Sequence, residues 1–118
     1  MKTQILVVDD DAGSRNALTT LLRDEGFSVL GLPGGREALE YLRASPPPKL
    51  IVLDLMMPDV DGWDLRHAQK QDPRLAAIPV IAVSAAGKLL DADAQFRKPL
   101  DYEKFLGAVR QYVKPPRA

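Results

Sequence analysis

Apolar residues in this chain fall into short unbroken runs, separated by stretches where they recur every three or four positions. Residues 4–8, QILVV, predict a buried strand. From Asp11 to Glu25 the period changes: Ala17, Leu18, Leu21 and Leu22 share one face, which predicts a helix that Gly26 stops. Residues 27–32, FSVLGL, alternate more and predict a second strand at an edge. Residues 34–44 predict a second helix burying Ala38, Leu39 and Leu42, and SPPPK at 45–49 cannot continue it. LIVLD at 50–54 is apolar on both faces, as a central parallel strand should be. A turn-rich loop, MMPDVDG at 56–62, leads to a third helix over 63–71. IPVIAVS at 78–84 and QFR at 95–97 predict the last two strands. Residues 101–113 predict a closing helix that buries Phe105, Leu106, Val109 and Val113.

Strands and helices in alternation predict an α/β fold, a doubly wound parallel sheet with helices on both faces. Ligands of such sheets bind outside the carboxyl ends of the strands, where the strand order reverses. With the strand order 2-1-3-4-5, that reversal falls between the first and third strands. Asp9 and Asp10 close the first strand, Asp54 the third and Ser84 the fourth. The pattern therefore gathers acidic residues at the one place this architecture makes a site.

Composition narrows the chemistry. The 118 residues fit one domain, with residues 114–118 as a frayed tail or the start of a linker. Lys plus Arg and Asp plus Glu both number 16, so no global field draws the chain to nucleic acid or an anionic membrane. Cysteine is absent, which excludes disulfides and thiolate chemistry, and the single histidine, His67, argues against a zinc site. His67 is expected to be an exposed helix residue and Trp63 to pack at its helix start. The apolar run near the N-terminus is too short for a signal peptide, and a soluble cytoplasmic protein is expected. Three carboxylates in one crevice repel unless a cation neutralises them, and oxygen-only ligands suit a hard ion such as Mg²⁺, with Mn²⁺ an alternative. Lys98 supplies a fixed positive charge and Ser84 a hydroxyl. Such a set suits attack of a carboxylate on a phosphoryl group. Asp11 reads mainly as a helix cap. Nucleotide loops, the GxSxG elbow and the dinucleotide fingerprint are all missing, and MMPDVDG lacks the ligand spacing of an EF-hand.

VVDDD at 7–11, LDLMMPDVDGW at 53–63, PVIAVSA at 79–85 and KP at 98–99 resemble the response-regulator receiver domains of two-component signalling. The resemblance spans nearly the whole chain and implies a flavodoxin-like, five-stranded sheet. It implies that Asp54 accepts a phosphoryl group from a phosphohistidine on a sensor histidine kinase or histidine phosphotransfer protein. It further implies that Asp9, Asp10, Asp54 and the backbone carbonyl of Met56 hold Mg²⁺, and that Ser84 and Lys98 meet the phosphoryl oxygens. Pro99 is expected to follow a cis peptide bond. Such a domain is no ordinary enzyme; it catalyses its own phosphorylation and slow dephosphorylation. The alternative is a receiver-like module that docks a protein partner without phosphate.

Two features depart from the family pattern. Taking the fifth strand from Gln95, only the ten residues 85–94 join the fourth strand to the fifth. Parallel crossovers usually take about a dozen residues or more, so the fourth helix is expected to be missing or reduced to a turn. Gln95 stands three residues before Lys98, where the family often has Tyr or Phe. Both changes fall on a face that many family members use to dimerise or meet targets, so a monomer or weak dimer with an unusual partner is expected. No residues after Val113 suffice for a DNA-binding domain within this chain, so direct nucleic-acid and membrane binding are not expected.

Overall fold

Period-two alternation along the strands decides which helices each residue meets. The computed structural model describes residues 3–54, 62–84 and 92–114. Its strands are β1 (Ile5–Val8), β2 (Val29–Leu32), β3 (Leu50–Asp54), β4 (Val80–Ser84) and β5 (Ala94–Arg97). Its helices are α1 (Ala12–Asp24), α2 (Gly35–Ala44), α3 (Gly62–Gln71) and α4 (Tyr102–Tyr112). All neighbouring strands pair in parallel, in the order β2-β1-β3-β4-β5. This is the doubly wound sheet that the sequence pattern predicts, in the five-stranded, flavodoxin-like form that the family resemblance implies.

On one face, Ile5, Val7, Leu50, Val52, Ile81 and Val83 pack with Leu18 and Leu22 of α1 and with Phe105 and Val109 of α4. The intervening residues, Leu6, Val8, Ile51, Leu53, Val80 and Ala82, pack on the other face with Ala38 and Leu42 of α2 and Leu65 of α3. Both faces are covered, which is why the central strands read as continuous apolar runs. β1, β3 and β4 are buried at every position, whereas β2 and β5 at the edges are mostly half-buried. Burying one such aliphatic side chain contributes about 1.5–3 kcal/mol, so the centre of the sheet carries most of the stability.

Local chemistry sets the element ends. Asp11 is the N-cap of α1, accepting a hydrogen bond from Ser14 N at 2.8 Å. Gly26 turns the chain out of α1 with φ 96°, a conformation that a residue with a Cβ resists. Asp101 caps α4 through Lys104 N at 3.2 Å.

Several details differ from the sequence reading: β5, for one, starts at Ala94 rather than Gln95, and Leu39 is half-buried rather than buried. Ala17 is exposed and Thr19 is buried in its place; the hydroxyl of Thr19 donates to Asn16 O at 3.1 Å, so its burial strands no polar atom. β2 starts at Val29 because Phe27 N still donates to Leu22 O at the end of α1. β4 starts at Val80 because Ile78 N is spent in a turn, on Leu75 O at 3.1 Å.

Among the described residues there are four helices, and none is long and apolar enough to cross a membrane. Of the 85–94 segment expected to hold a reduced helix, residues 85–91 lie outside the described residues, as do Met56 and all of the 114–118 tail but Lys114.

Candidate functional site

The register of the central strands aligns the acidic residues before any side chain is considered. β1 and β3 pair Val7 with Val52 and Val8 with Leu53. One further step sets Asp9 beside Asp54. Both carry the parity of Ile5, Val7, Leu50 and Val52, so both head toward the α1 and α4 face. β2 lies on the far side of β1, so the strand order reverses at this crevice.

One carboxylate oxygen each from Asp9, Asp10 and Asp54 lies within 4.8 Å of the others. Asp9 is 1% exposed and Asp54 7%, whereas Asp10 is exposed. Lys98 follows β5 and places Nζ 3.7 Å from Asp9 Oδ2 and 3.9 Å from Asp54 Oδ2. Its ammonium is also 3.4 Å from Ser14 Oγ. Lys98 N donates to Ser84 O at 3.1 Å, which ties the loop after β5 to the end of β4. The peptide bond between Lys98 and Pro99 is cis. Ser84 is buried at the end of β4.

Asp9 is held at several atoms. Its backbone N donates to Leu32 O at 3.1 Å, and its Oδ1 accepts from Asp11 N at 2.9 Å. Its carbonyl oxygen accepts from Arg15 Nη1 at 2.9 Å. Asp11 itself serves as helix cap, and His67 is exposed on α3. Gln95 is half-buried in β5 opposite Ala82. Phe96 turns to the other face and meets Phe105 edge-on, with ring centroids 5.8 Å apart. Beside Lys98 a cleft of about 320 Å³ opens between α1 and the start of α4, lined by Ser14, Leu18, Lys98, Pro99, Leu100 and Tyr102.

A hard divalent cation fits this donor set. The three grouped residues offer only carboxylate oxygens, two of them from buried side chains, and one ammonium offsets only part of their charge. The structure thus brings Asp9, Asp10, Asp54, Ser84 and Lys98 to one end of the sheet. The sequence reading did not single out Ser14 or Arg15. Spacing alone hints at Ser14, three residues past the Asp11 cap and therefore in the first turn of α1. Its approach to Lys98, 84 residues away, has no local signal.

Comparison with known proteins agrees with this geometry. Residues 5–110 match the response regulator receiver domain family. The chain is 37% identical over 116 residues to an uncharacterized 14.6 kDa protein of Leptolyngbya boryana, covering 92% of this chain and 88% of that one. It spans about half the length of DNA-binding regulators that it matches at 33% identity, which come from Synechocystis and several mycobacteria. A response regulator receiver protein of Pseudomonas putida superposes with a TM-score of 0.83 at 30% identity, covering 94% of this chain and 98% of that chain. The response regulator TrrA of Thermotoga maritima, in complex with Mg(2+)-BeF, shares the fold with a TM-score of 0.84 at 24% identity, covering 96% of this chain and all of that one. With an acidic crevice at the strand-order reversal and a family match over most of its length, the chain belongs to the response regulator receiver domains.

Proposed function

We propose that the chain is a phosphorylatable switch in which Asp54 accepts a phosphoryl group from a phosphohistidine. The donor would be a sensor histidine kinase or a histidine phosphotransfer protein, and the added charge would then govern partner binding. One observation carries the reading: Asp9, Asp10 and Asp54 converge at the strand ends while Lys98 Nζ stands within 4 Å of two of them.

The chemistry follows from these positions. A carboxylate oxygen of Asp54 attacks phosphorus, forming an oxygen–phosphorus bond as the phosphorus–nitrogen bond to imidazole breaks. The imidazole leaves with that electron pair and takes up a proton. Lys98 supplies a positive charge for the arriving phosphoryl oxygens, and the hydroxyl of Ser84 would donate a hydrogen bond to one of them. Mg²⁺, held by Asp9, Asp10, Asp54 and the Met56 carbonyl, would neutralise the carboxylates and the phosphoryl oxygens, and the oxygen-only donors of the three grouped aspartates support this reading. The cleft lies beside Lys98, and its apolar wall of Leu18, Pro99 and Leu100 suits a partner helix that would carry the donor imidazole toward Asp54. The three grouped carboxylates carry more negative charge than the Lys98 ammonium offsets, which a site built for Mg²⁺ would explain and a plain docking surface would not.

Intact-protein mass after incubation with acetyl phosphate and Mg²⁺ tests the proposal. One added phosphoryl group is expected, absent in Asp54→Ala and abolished by chelator. A wild-type protein that neither gains mass nor binds Mg²⁺ would favour a phosphate-independent docking module instead.

A further inference from the structure

We infer that Arg15 is a positioning residue for the metal ligands: by gripping the carbonyl oxygen of Asp9, it fixes the peptide plane from which Asp10 extends. The inference rests on the phosphoacceptor reading and concerns how its carboxylates are kept together.

The three carboxylates are not held alike. Asp54 ends a buried strand, and Asp9 is buried with its own oxygen on Asp11 N. Asp10 is exposed, so side-chain packing does not locate it, yet one of its oxygens joins the group. Backbone must do the locating. Asp9 N makes a last bond to β2 through Leu32 O, and beyond it the chain leaves the sheet. The Asp9 carbonyl then points where no strand can serve it, and Arg15 Nη1 donates to it at 2.9 Å. The peptide unit is planar, so fixing that oxygen also fixes the nitrogen and Cα of Asp10. The following amide, Asp11 N, is held by Asp9 Oδ1 at 2.9 Å. Asp10 is therefore clamped from both sides.

The path of the Arg15 side chain explains a residue that the catalytic reading leaves aside. Gly31 lies within β2, where glycine weakens a strand unless something must come close. A Cβ at Gly31 would stand 3.1 Å from Arg15 Cγ, 3.3 Å from Arg15 Cδ and 2.9 Å from Thr19 Cγ2. The bare glycine leaves the channel along which Arg15 runs from α1 over β2 to the end of β1. Thr19 is buried and tied to Asn16 O, so it yields little room.

A bland reading makes the opposite prediction. If Arg15 acts only as a positive charge near the carboxylates, it competes with a divalent cation, and its removal should tighten metal binding. As a positioning residue, its removal should loosen it. Outer-shell partners of metal ligands are worth about tenfold or more in affinity.

The test is calorimetric titration of the unphosphorylated protein with Mg²⁺, alongside thermal unfolding in chelator. Arg15→Ala is expected to bind about tenfold more weakly while remaining folded, and Arg15→Lys should recover most of the loss. Gly31→Ala should also weaken binding although every charge is retained. If Gly31→Ala fails to fold, the Arg15→Ala and Arg15→Lys pair decides alone. Mg²⁺ binding by Arg15→Ala as tight as wild type, or tighter, overturns the inference. So does an Arg15→Lys variant indistinguishable from Arg15→Ala. A wild-type protein that binds no Mg²⁺ overturns the phosphoacceptor reading itself and the inference with it.

Discussion

Asp54 and Lys98 face each other across the same crevice, but they stand on very different ground. Asp54 closes β3, a strand buried along its whole length between two others. Lys98 follows β5, an edge strand whose residues are half-buried or exposed and which has a neighbour on one side only. The nucleophile candidate therefore ends a strand that is buried and paired on both sides, and its cationic partner follows one paired on a single side. Placing attack geometry on a rigid strand keeps it reproducible, since a small misplacement of a reacting group costs rate steeply. Under the proposed function, a cation at an edge would let a phosphoryl group on Asp54 shift its surroundings at low cost, because segments with few buried contacts open most easily.

The edge is held by particular contacts, and they differ in kind from those at the centre. Phe96 leans edge-on against Phe105 of α4. Asp93, just before β5, accepts from Val80 N through Oδ2 at 2.8 Å and stands 3.9 Å from Arg66 Nη2 on α3. Arg66 in turn donates to Gln69, a buried residue whose amide bridges Leu75 O and Ile78 O. Polar contacts thus replace apolar depth at this end of the sheet.

The contrast can be broken most sharply by truncating one side chain in each region. Ile51→Ala in β3 should lower unfolding free energy by about 2–5 kcal/mol, from lost burial plus a cavity. Phe96→Ala in β5 should cost less, about 1–2 kcal/mol, because the ring is only partly buried. Chemical denaturation of both variants checks this, and an equal or larger loss at Phe96 would remove the distinction between centre and edge.

A smaller effect is expected at the junction of the two regions. Lys98→Ala removes the cation beside Asp9 and Asp54 and should destabilise the metal-free protein by on the order of 1–2 kcal/mol, a figure kept low because the lysine is partly solvated. Added Mg²⁺ should restore most of the loss, because a ligand that binds only the folded state stabilises it. Unfolding midpoints with and without Mg²⁺ measure both. Stabilisation by Lys98→Ala in chelator would mean that the carboxylates do not depend on it.

The smallest effect should come from Asp93→Ala. Losing one side-chain bond to Val80 N should cost about 1 kcal/mol, felt mainly as faster hydrogen exchange in β5 rather than a shift in global unfolding. Exchange that accelerates equally in β3 would show that β5 does not open by itself.

The layered α/β arrangement was legible because burial on both faces forces continuous apolar runs such as ILVV and LIVL, while helices with one buried face keep a period near 3.6. Asp9, Asp10, Asp54 and Ser84 were legible for a related reason: they close such runs, where a polar residue is expensive unless it has work, whereas Lys98 was legible from the KP pair after the weak run QFR. Ala17 was placed on the buried face and the burial of Thr19 was missed because a helix face read from the sequence leaves its rotation loose by a residue. Packing of Leu18 and Leu22 on the sheet selects the rotation, and the Thr19 bond to Asn16 O makes the selected one tolerable. Burial of Gln69 gave no signal at all, since its two acceptors lie beyond the end of its own helix.

By itself, then, the sequence determined the element types, their alternation and the kinds of residue at the strand ends, because hydrophobic periodicity and turn chemistry act over a few residues. Only the tertiary structure decided that Asp9 and Asp54 share a parity across one register, that Lys98 reaches both, and that Arg15 passes over Gly31 to the Asp9 carbonyl. Those relations join residues far apart in the chain. Strand register and helix rotation set them, and both are selected by packing the whole core at once.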